Sequence, residues 1–315
     1  MTSHHDDLTI RPITGPDELD LFNRFPHEFN EELAADLSDG HRQRQWLWIA
    51  LSDGRLAARA GWWARPGDEH PAALDILDLD DSGRPETVDI AACLLSTAMA
   101  EVVPEGTQPP YYLRFVDPDW RGAPATRQAT EDRMAAAAQT GARLFVERLR
   151  LEWRAGTPVP APTGRLLFRR ADDQGELVGL MTQVMAGTLD AHGREDLTRL
   201  SPRRAAVKQY DSELARYTSP REWWRIAALP DGDPVGFVIP AHNGYNPIIA
   251  YVGVLPAHRG NGYIDEILAE GTRILAALDI PRIRASTDVG NVPMASAFLR
   301  AGWVVFEREI KMTWR

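Results

Sequence analysis

Cysteine is almost missing. Cys93 is the single one in 315 residues, so no disulfide can close within the chain and a stapled secreted scaffold is excluded. It lies in Ala91-Ala92-Cys93-Leu94-Leu95, an apolar run expected to bury one helix face, Cys93 included. Lysine is nearly absent as well: Lys208 and Lys311 are the only two among 35 basic residues. Positive charge is outweighed, with 45 acidic residues and a net charge of −10. A phosphate backbone calls for a basic surface, so nucleic acid is not an expected partner. No apolar run approaches the roughly 20 residues of a membrane span, so no membrane partner is expected either. Met1 to Asp7 lacks the apolar core of a signal peptide, and a cytoplasmic location is the simplest expectation. No metal site is expected: His4-His5 is read as a bystander pair at the start of the chain, and in His27-Glu28-Phe29-Asn30-Glu31 a glutamate stands where a zinc-protease helix needs its second histidine.

Against these absences, one stretch carries chemistry. His258-Arg259-Gly260-Asn261-Gly262-Tyr263 follows the apolar run Ile248–Val254 and opens the helical pattern Ile264, Ile267, Leu268, Gly271, Ile274, Leu275, Leu278. Strand, glycine turn, helix is the order that makes an anion site, because backbone N–H groups converge there with the positive end of the helix dipole. Arg259 adds a formal charge. A dinucleotide fingerprint would need a third glycine, but Gly262 is followed by Tyr263, Ile264 and Asp265. The triphosphate-binding loop, with its Gly-Lys-Ser/Thr, is absent too. What remains fits a pyrophosphate.

Arg259-Gly260-Asn261-Gly262-Tyr263-Ile264 resembles the Arg/Gln-x-x-Gly-x-Gly/Ala motif of the GNAT acyltransferases, with Ile264 in place of a small residue. A second segment, Asn291 to Trp303, resembles the later motif of that family, Asn-x-x-Ala-x-x-x-Tyr-x-x-x-Gly-Phe. Here Asn291 can cap a helix, Pro293 suits its first turn, Met294, Ala297, Phe298 and Ala301 share a face, and Gly302 ends it. The resemblance covers 164–315. It implies an acetyl-CoA co-substrate held by Val252, Val254, Arg259, Gly260, Asn261, Gly262, Tyr263, Asn291 and Phe298. The arginine-rich composition is similar to that of actinobacterial proteins.

The chain also repeats itself. Gly141 to Arg154 and Gly302 to Arg315 match in register, with Leu149 and Leu151 standing where Ile310 and Met312 stand. Arg11 precedes Glu18 as Arg169 precedes Glu176, and the hairpin signals Asp53-Gly54 and Asp231-Gly232 each follow an Ala-Leu pair. Three matches in order imply duplication of a whole domain. The expected organisation is a degenerate domain at 1–155, a Pro/Gly linker at 156–163 and an acyl-CoA-binding domain at 164–315. The resemblance to tandem GNAT proteins implies an α+β fold, each domain a mixed, mostly antiparallel sheet flanked by helices. In the first half, Asp80, Asp81 and Glu86 surround the place of the glycine loop, and charge repulsion argues against pyrophosphate there. Thr130 and Ala137 stand where Asn291 and Phe298 stand.

The family's proton carriers are replaced. Phe298 holds the place of the acidic tyrosine, and Ile248 that of the glutamate base. Asp288, at the end of a strand just before Asn291, is the expected substitute facing the cleft. Tyr251 is the second candidate, although alternation puts it on the face opposite Val252 and Val254. His242 is a loop histidine with a suitable pKa range. The segment Glu176–Glu222 is expected to form two helices over the acceptor, and of Trp223-Trp224 one is expected in the core and one at the cleft. The function expected is acetyl transfer to the amine of a small molecule by a monomer or homodimer. The alternatives are a non-catalytic CoA-binding or interaction protein, and a GNAT with another acyl donor or acceptor.

Overall fold

The computed structural model describes residues 8–81 and 86–315; His4-His5 and the turn Ser82-Gly83-Arg84-Pro85 lie outside the described residues. The chain divides into two compact units, 1–147 with Glu309–Arg315, and Arg148–Arg308. The last strand of each sequence half begins in its own half's unit and ends in the other's.

The first unit contains β1 (Leu8–Pro12), α1 (Leu19–Phe22), α2 (Leu33–Asp39), β2 (Leu47–Ser52), β3 (Arg55–Trp63), β4 (Ala73–Leu79), α3 (Glu86–Val102), β5 (Tyr111–Val116) and α4 (Pro124–Gln139). The strand β6 (Arg143–Arg154) starts in this unit and ends in the second. The strands β1 to β4 pair antiparallel in sequence order and β4 pairs parallel with β5. Asp53 and Gly54 both take positive φ between β2 and β3, the conformation a tight hairpin with right-handed strand twist needs. On α3 the buried side chains Ala91, Leu94, Leu95 and Ala98 follow helical spacing. Cys93 falls on the opposite side and is exposed, a correction to the buried position expected for it.

The second unit contains β7 (Leu167–Arg170), α5 (Gln174–Val184), α6 (Ala191–Leu197), α7 (Pro202–Ser212), β8 (Arg225–Ala228), β9 (Pro234–His242), β10 (Pro247–Val254), α8 (Tyr263–Ala276), β11 (Arg282–Asp288) and α9 (Val292–Arg300). Three helices, not two, follow β7. Asp190 accepts the Gly193 N–H at 2.7 Å and starts α6 as a separate element. The sheet runs β7-β8-β9-β10 antiparallel, with β10 parallel to β11 and β11 antiparallel to residues 148–154 of β6.

The final strand, β12 (Val304–Thr313), crosses the boundary in the opposite sense to β6. Ile310 and Met312 are buried in the first unit's core, beside Leu74, Leu77 and Tyr112. Leu149, Leu151 and Trp153 are buried in the second, beside Ile249, Ile283 and Phe298. The repeat makes this exchange possible, because each strand presents the alternating apolar face the other place requires. A repeated ion pair marks the duplication as well. Arg11 pairs with Glu18 at 2.6 Å, and Arg169 with Glu176, across the same seven-residue separation. No helix among the described residues is long and apolar enough to cross a membrane.

Candidate functional site

In the second unit, β10 and β11 meet at Ile248 and Arg284, and no further register pair follows among the described residues. On its other side β10 stays paired with β9 through Val252↔Val238 and Val254↔Gly236. The two parallel strands therefore part, and the backbone of β10 from Tyr251 onward has a strand partner on one side. A bulge sits in β10, where Ile249 opposes Pro240 and Tyr251 opposes Ile239, leaving Ala250 as the extra residue. The bulge resets which side chains share a face. Ile249, Val252 and Val254 pack with the cluster under α8 and α9. Ala250 and Tyr251 pack with the cluster under α5 and α7.

The gap ends at the glycine turn. Gly260 and Gly262 take φ of +83° and +73°, and an added Cβ on either would meet nothing within 4 Å. The turn is thus open on its outer side, and its conformation rather than crowding calls for glycine. Gly262 is the N-cap of the 14-residue α8, and no side chain caps it. The N–H groups of Tyr263 and Ile264 have no acceptor in the preceding helical turn. Two acids, Asp265 and Glu266, occupy that first turn, yet both are paired. Arg300 donates to Asp265 at 2.7 Å, and Arg165 donates to Glu266 at 2.7 Å and to the Asn261 carbonyl at 3.2 Å. Arg165 also lies 5.1 Å from the Tyr263 ring centre. The charge that opposes an anion is therefore balanced beside the turn. Sequence reasoning missed Arg165, because nothing local links it to a loop about a hundred residues on; its place at the end of the Pro/Gly linker was the one available signal.

Arg259 is used differently from expectation. Its guanidinium donates to the carbonyls of Val184 at 2.8 Å, Ala186 at 2.9 Å and Val254 at 3.2 Å. Carbonyls at a helix C-terminus lack intrahelical donors, so this arginine ties the end of α5 to the end of β10. Asn261 folds back on the turn, donating to the His258 carbonyl at 3.1 Å. Asn291 caps α9 by accepting from the Met294 N–H at 3.4 Å. Phe298 is 2% exposed and meets Trp303 edge to face at 5.0 Å.

Asp288 does not face an open cleft. It is 2% exposed; one carboxylate oxygen accepts the Ala191 N–H at 2.6 Å and the other pairs with Arg148 at 3.0 Å. It joins the start of α6 to β11 and β6, which the local sequence could not reveal. Tyr251 contacts Phe237 edge to face at 5.0 Å. Burial, together with the charges of Asp190 and Glu213, pushes its phenol well above the usual tyrosine range, against Arg259. His242 accepts the Gly244 N–H on Nδ1 at 3.1 Å and stabilises its own turn. Trp224 is 1% exposed in the core. Trp223 instead lines a cavity with His242 and Pro247, at the start of β10 and away from the glycine turn.

The corresponding place in the first unit is filled. There β4 and β5 pair at Ala73↔Tyr111 and Leu74↔Tyr112 and then part. Arg133, from α4, reaches Asp78 at 3.2 Å, Asp81 at 2.7 Å and the Leu79 carbonyl at 3.4 Å. Asp78 also accepts from Arg59 at 2.9 Å. Burial alone would push the Asp78 carboxyl up. His27 and the arginines Arg59, Arg133 and Arg114 outweigh it and hold Asp78 below the ordinary range. A protein guanidinium thus sits at the end of β4, on the Leu79 carbonyl and the carboxylates that flank it.

Residues 195–303 match the model of the acetyltransferase (GNAT) family. Among solved structures, the chain is similar to a GCN5-related N-acetyltransferase from Sphaerobacter thermophilus, at 16% identity and a TM-score of 0.57 over 98% of this chain and 96% of that one. It is also similar to a fungal GCN5-related glucosamine N-acetyltransferase region within a multi-domain β-N-acetylglucosaminidase, at 14% identity and 0.54 over 98% of this chain and 38% of that one. A tandem GNAT protein from the clavulanic acid biosynthesis pathway aligns at 17% identity and 0.49 over 98% of each chain. No curated protein matches the sequence. The matched segment holds the parted strands, the glycine turn, α8 and α9. Residues 195–303 thus carry the segment that the GNAT family model describes, and the chain, in its two units, has the fold of a GCN5-related N-acetyltransferase.

Proposed function

We propose that the second unit transfers an acyl group, acetyl by default, from acyl-coenzyme A to the amine of a small molecule. One observation carries this reading: an uncapped helix N-terminus behind two positive-φ glycines stands where β10 leaves β11. Such a terminus presents backbone donors and the positive dipole end to a pyrophosphate, and Arg165 and Arg300 balance the two acids beside it. The residues fit the co-substrate. Gly260, Asn261, Gly262 and Tyr263 would hold the pyrophosphate, and the free edge of β10 at Val252 and Val254 would hold the pantetheine arm. Bound there, the thioester supplies an activated acyl group.

The remaining roles belong to this chain's own side chains. Arg259 fixes the turn to α5 and so orients the helix that covers the acceptor side. Asp190 and Glu213, whose charges reach Tyr251, draw a cationic amine to that side. Tyr251 keeps its proton at neutral pH because burial disfavours the phenolate. It is therefore unsuited to act as a base, and it can steady the departing sulfur by a hydrogen bond from its O–H rather than by giving up the proton, which the same burial disfavours. Phe298, in the place of the family's tyrosine, has no proton to give.

Calorimetric titration with acetyl-CoA tests the site. We expect one binding site per chain. Gly262→Glu should abolish binding, since it puts a side chain on a positive-φ residue and a negative charge at the turn. Two sites, or unchanged affinity in Gly262→Glu, would overturn the assignment. Tyr251→Phe should keep the affinity for acetyl-CoA and lower turnover on an amine by about a hundredfold or more. Binding without amine-dependent CoA release, across a panel of amines and acyl donors, would favour the alternative of a CoA-binding protein without activity.

A further inference from the structure

A cavity of about 270 Å³ opens at the end of the second unit's sheet where β10 and β11 begin. The glycine turn lies beyond the far end of β10, which has eight residues. At about 3.3 Å per residue the two places are roughly 25 Å apart. The cavity therefore belongs to neither the pyrophosphate turn nor the parted strands.

Its walls are mostly apolar: Trp223, Pro247, Leu278, Ile280 and Pro281. His242, Tyr245, Asn246 and Arg282 supply its polar groups. His242 accepts the Gly244 N–H on Nδ1 at 3.1 Å, so its neutral imidazole carries the proton on Nε2 and offers a donor. Arg282 donates through Nε to Asn246 Oδ1 at 3.3 Å. Among the described residues, Arg282 takes part in no ion pair, so its terminal nitrogens keep their donors. Trp223 contributes an indole to the lining. Tyr245, at 67% exposure, and Leu278, at 43%, stand at the rim. A single guanidinium and an imidazole N–H in one lining match one carboxylate, which the guanidinium can grip with two parallel N–H groups. Apolar walls and an aromatic face match a flat apolar body. The volume lies just below the range of drug-sized pockets, so the ligand is small.

We propose that this cavity is a second ligand site, taking a small carboxylate with a planar apolar body, its carboxylate on Arg282 and His242 and its ring against Trp223. The site has a physical link to the glycine turn. Leu278 and Ile280 follow the C-terminus of α8, and the N-terminus of the same helix forms the turn.

The test uses the full chain labelled with nitrogen-15, with benzoate as the probe and the Trp223 indole N–H resonance as the readout, assigned through Trp223→Phe. We expect a saturable shift with benzoate and none of comparable affinity with benzyl alcohol, which keeps the ring and loses the charge. Arg282→Gln should raise the benzoate midpoint at least tenfold, and excess acetyl-CoA should not displace benzoate. No shift of Trp223, equal binding of benzyl alcohol, an unchanged midpoint in Arg282→Gln, or displacement by acetyl-CoA would each overturn the proposal. Arg282 is exposed, so its replacement leaves the core intact. None of these outcomes depends on whether acetyl transfer occurs.

Discussion

Leu151 lies in the first half of the sequence, yet it should stabilise the second unit. It is 0% exposed, within the core that includes Ile283, Ile249 and Phe298. Ile310, which stands in the repeat where Leu149 stands and is 1% exposed, belongs to the core of the first unit. Truncating a fully buried Leu or Ile to Ala costs about 2–5 kcal/mol, through lost transfer energy and the cavity left behind. Each 1.4 kcal/mol is a factor of ten, so amide exchange through opening of the affected unit should speed up by roughly thirty- to several-thousand-fold. Hydrogen–deuterium exchange resolved by peptide reads this directly. Leu151→Ala should accelerate exchange in β9, β10, β11 and α8, and leave β2 to β4 much less affected. Ile310→Ala should do the reverse. If Leu151→Ala loosened β2 to β4 while β9 to β11 kept their protection, the exchange of terminal strands between units would be refuted.

Two further expectations concern buried charge. Asp288→Ala strands the Arg148 guanidinium and the Ala191 N–H. It should lower stability by about 3 kcal/mol, the low end for a broken buried pair because Arg148 is partly exposed. Asp288→Asn should keep amine-acetylation turnover within a few-fold in the folded protein, whereas a catalytic base would be lost in that variant with stability intact. The second concerns pH. Burial pushes the His27 imidazole down to about 4, while in the unfolded chain it titrates near 6.5. The unfolded state therefore takes up a proton below about 6.5 that the folded state refuses until about 4, and stability is lost as pH falls through that window. His27→Asn, whose side-chain oxygen can replace Nδ1 as acceptor for the Phe29 N–H, should flatten the pH dependence of urea unfolding between pH 6.5 and 4. An unchanged slope would place the pH dependence elsewhere.

The elements that the sequence made legible are those whose cause is local. The glycines at 260 and 262 announce a turn that needs positive φ, and the period of Ile267, Leu268, Gly271 and Leu275 announces the helix behind it. Asn291, Pro293 and Gly302 mark both ends of α9 within a dozen residues. Repetition of 141–154 at 302–315 revealed two units of one α+β fold, because alternation on a strand is written in consecutive residues. Tertiary structure decided what depends on residues far apart in the chain. Leu151 and Ile310 satisfy the same pattern, so the sequence could not say which core each joins; the sheet edge that receives the strand decides. Asp288 was expected to face the cleft, but its carboxylate is claimed by an N–H and an arginine roughly 100 and 140 residues away. Arg259 sits beside a turn suited to phosphate and spends its donors on helix carbonyls, because those carbonyls have no other donor in the helix. Arg133 reaches the first unit's gap for a similar reason: the packing of α4 against β4, which no local residue announces, brings it to Asp78 beside Arg59 and to Asp81.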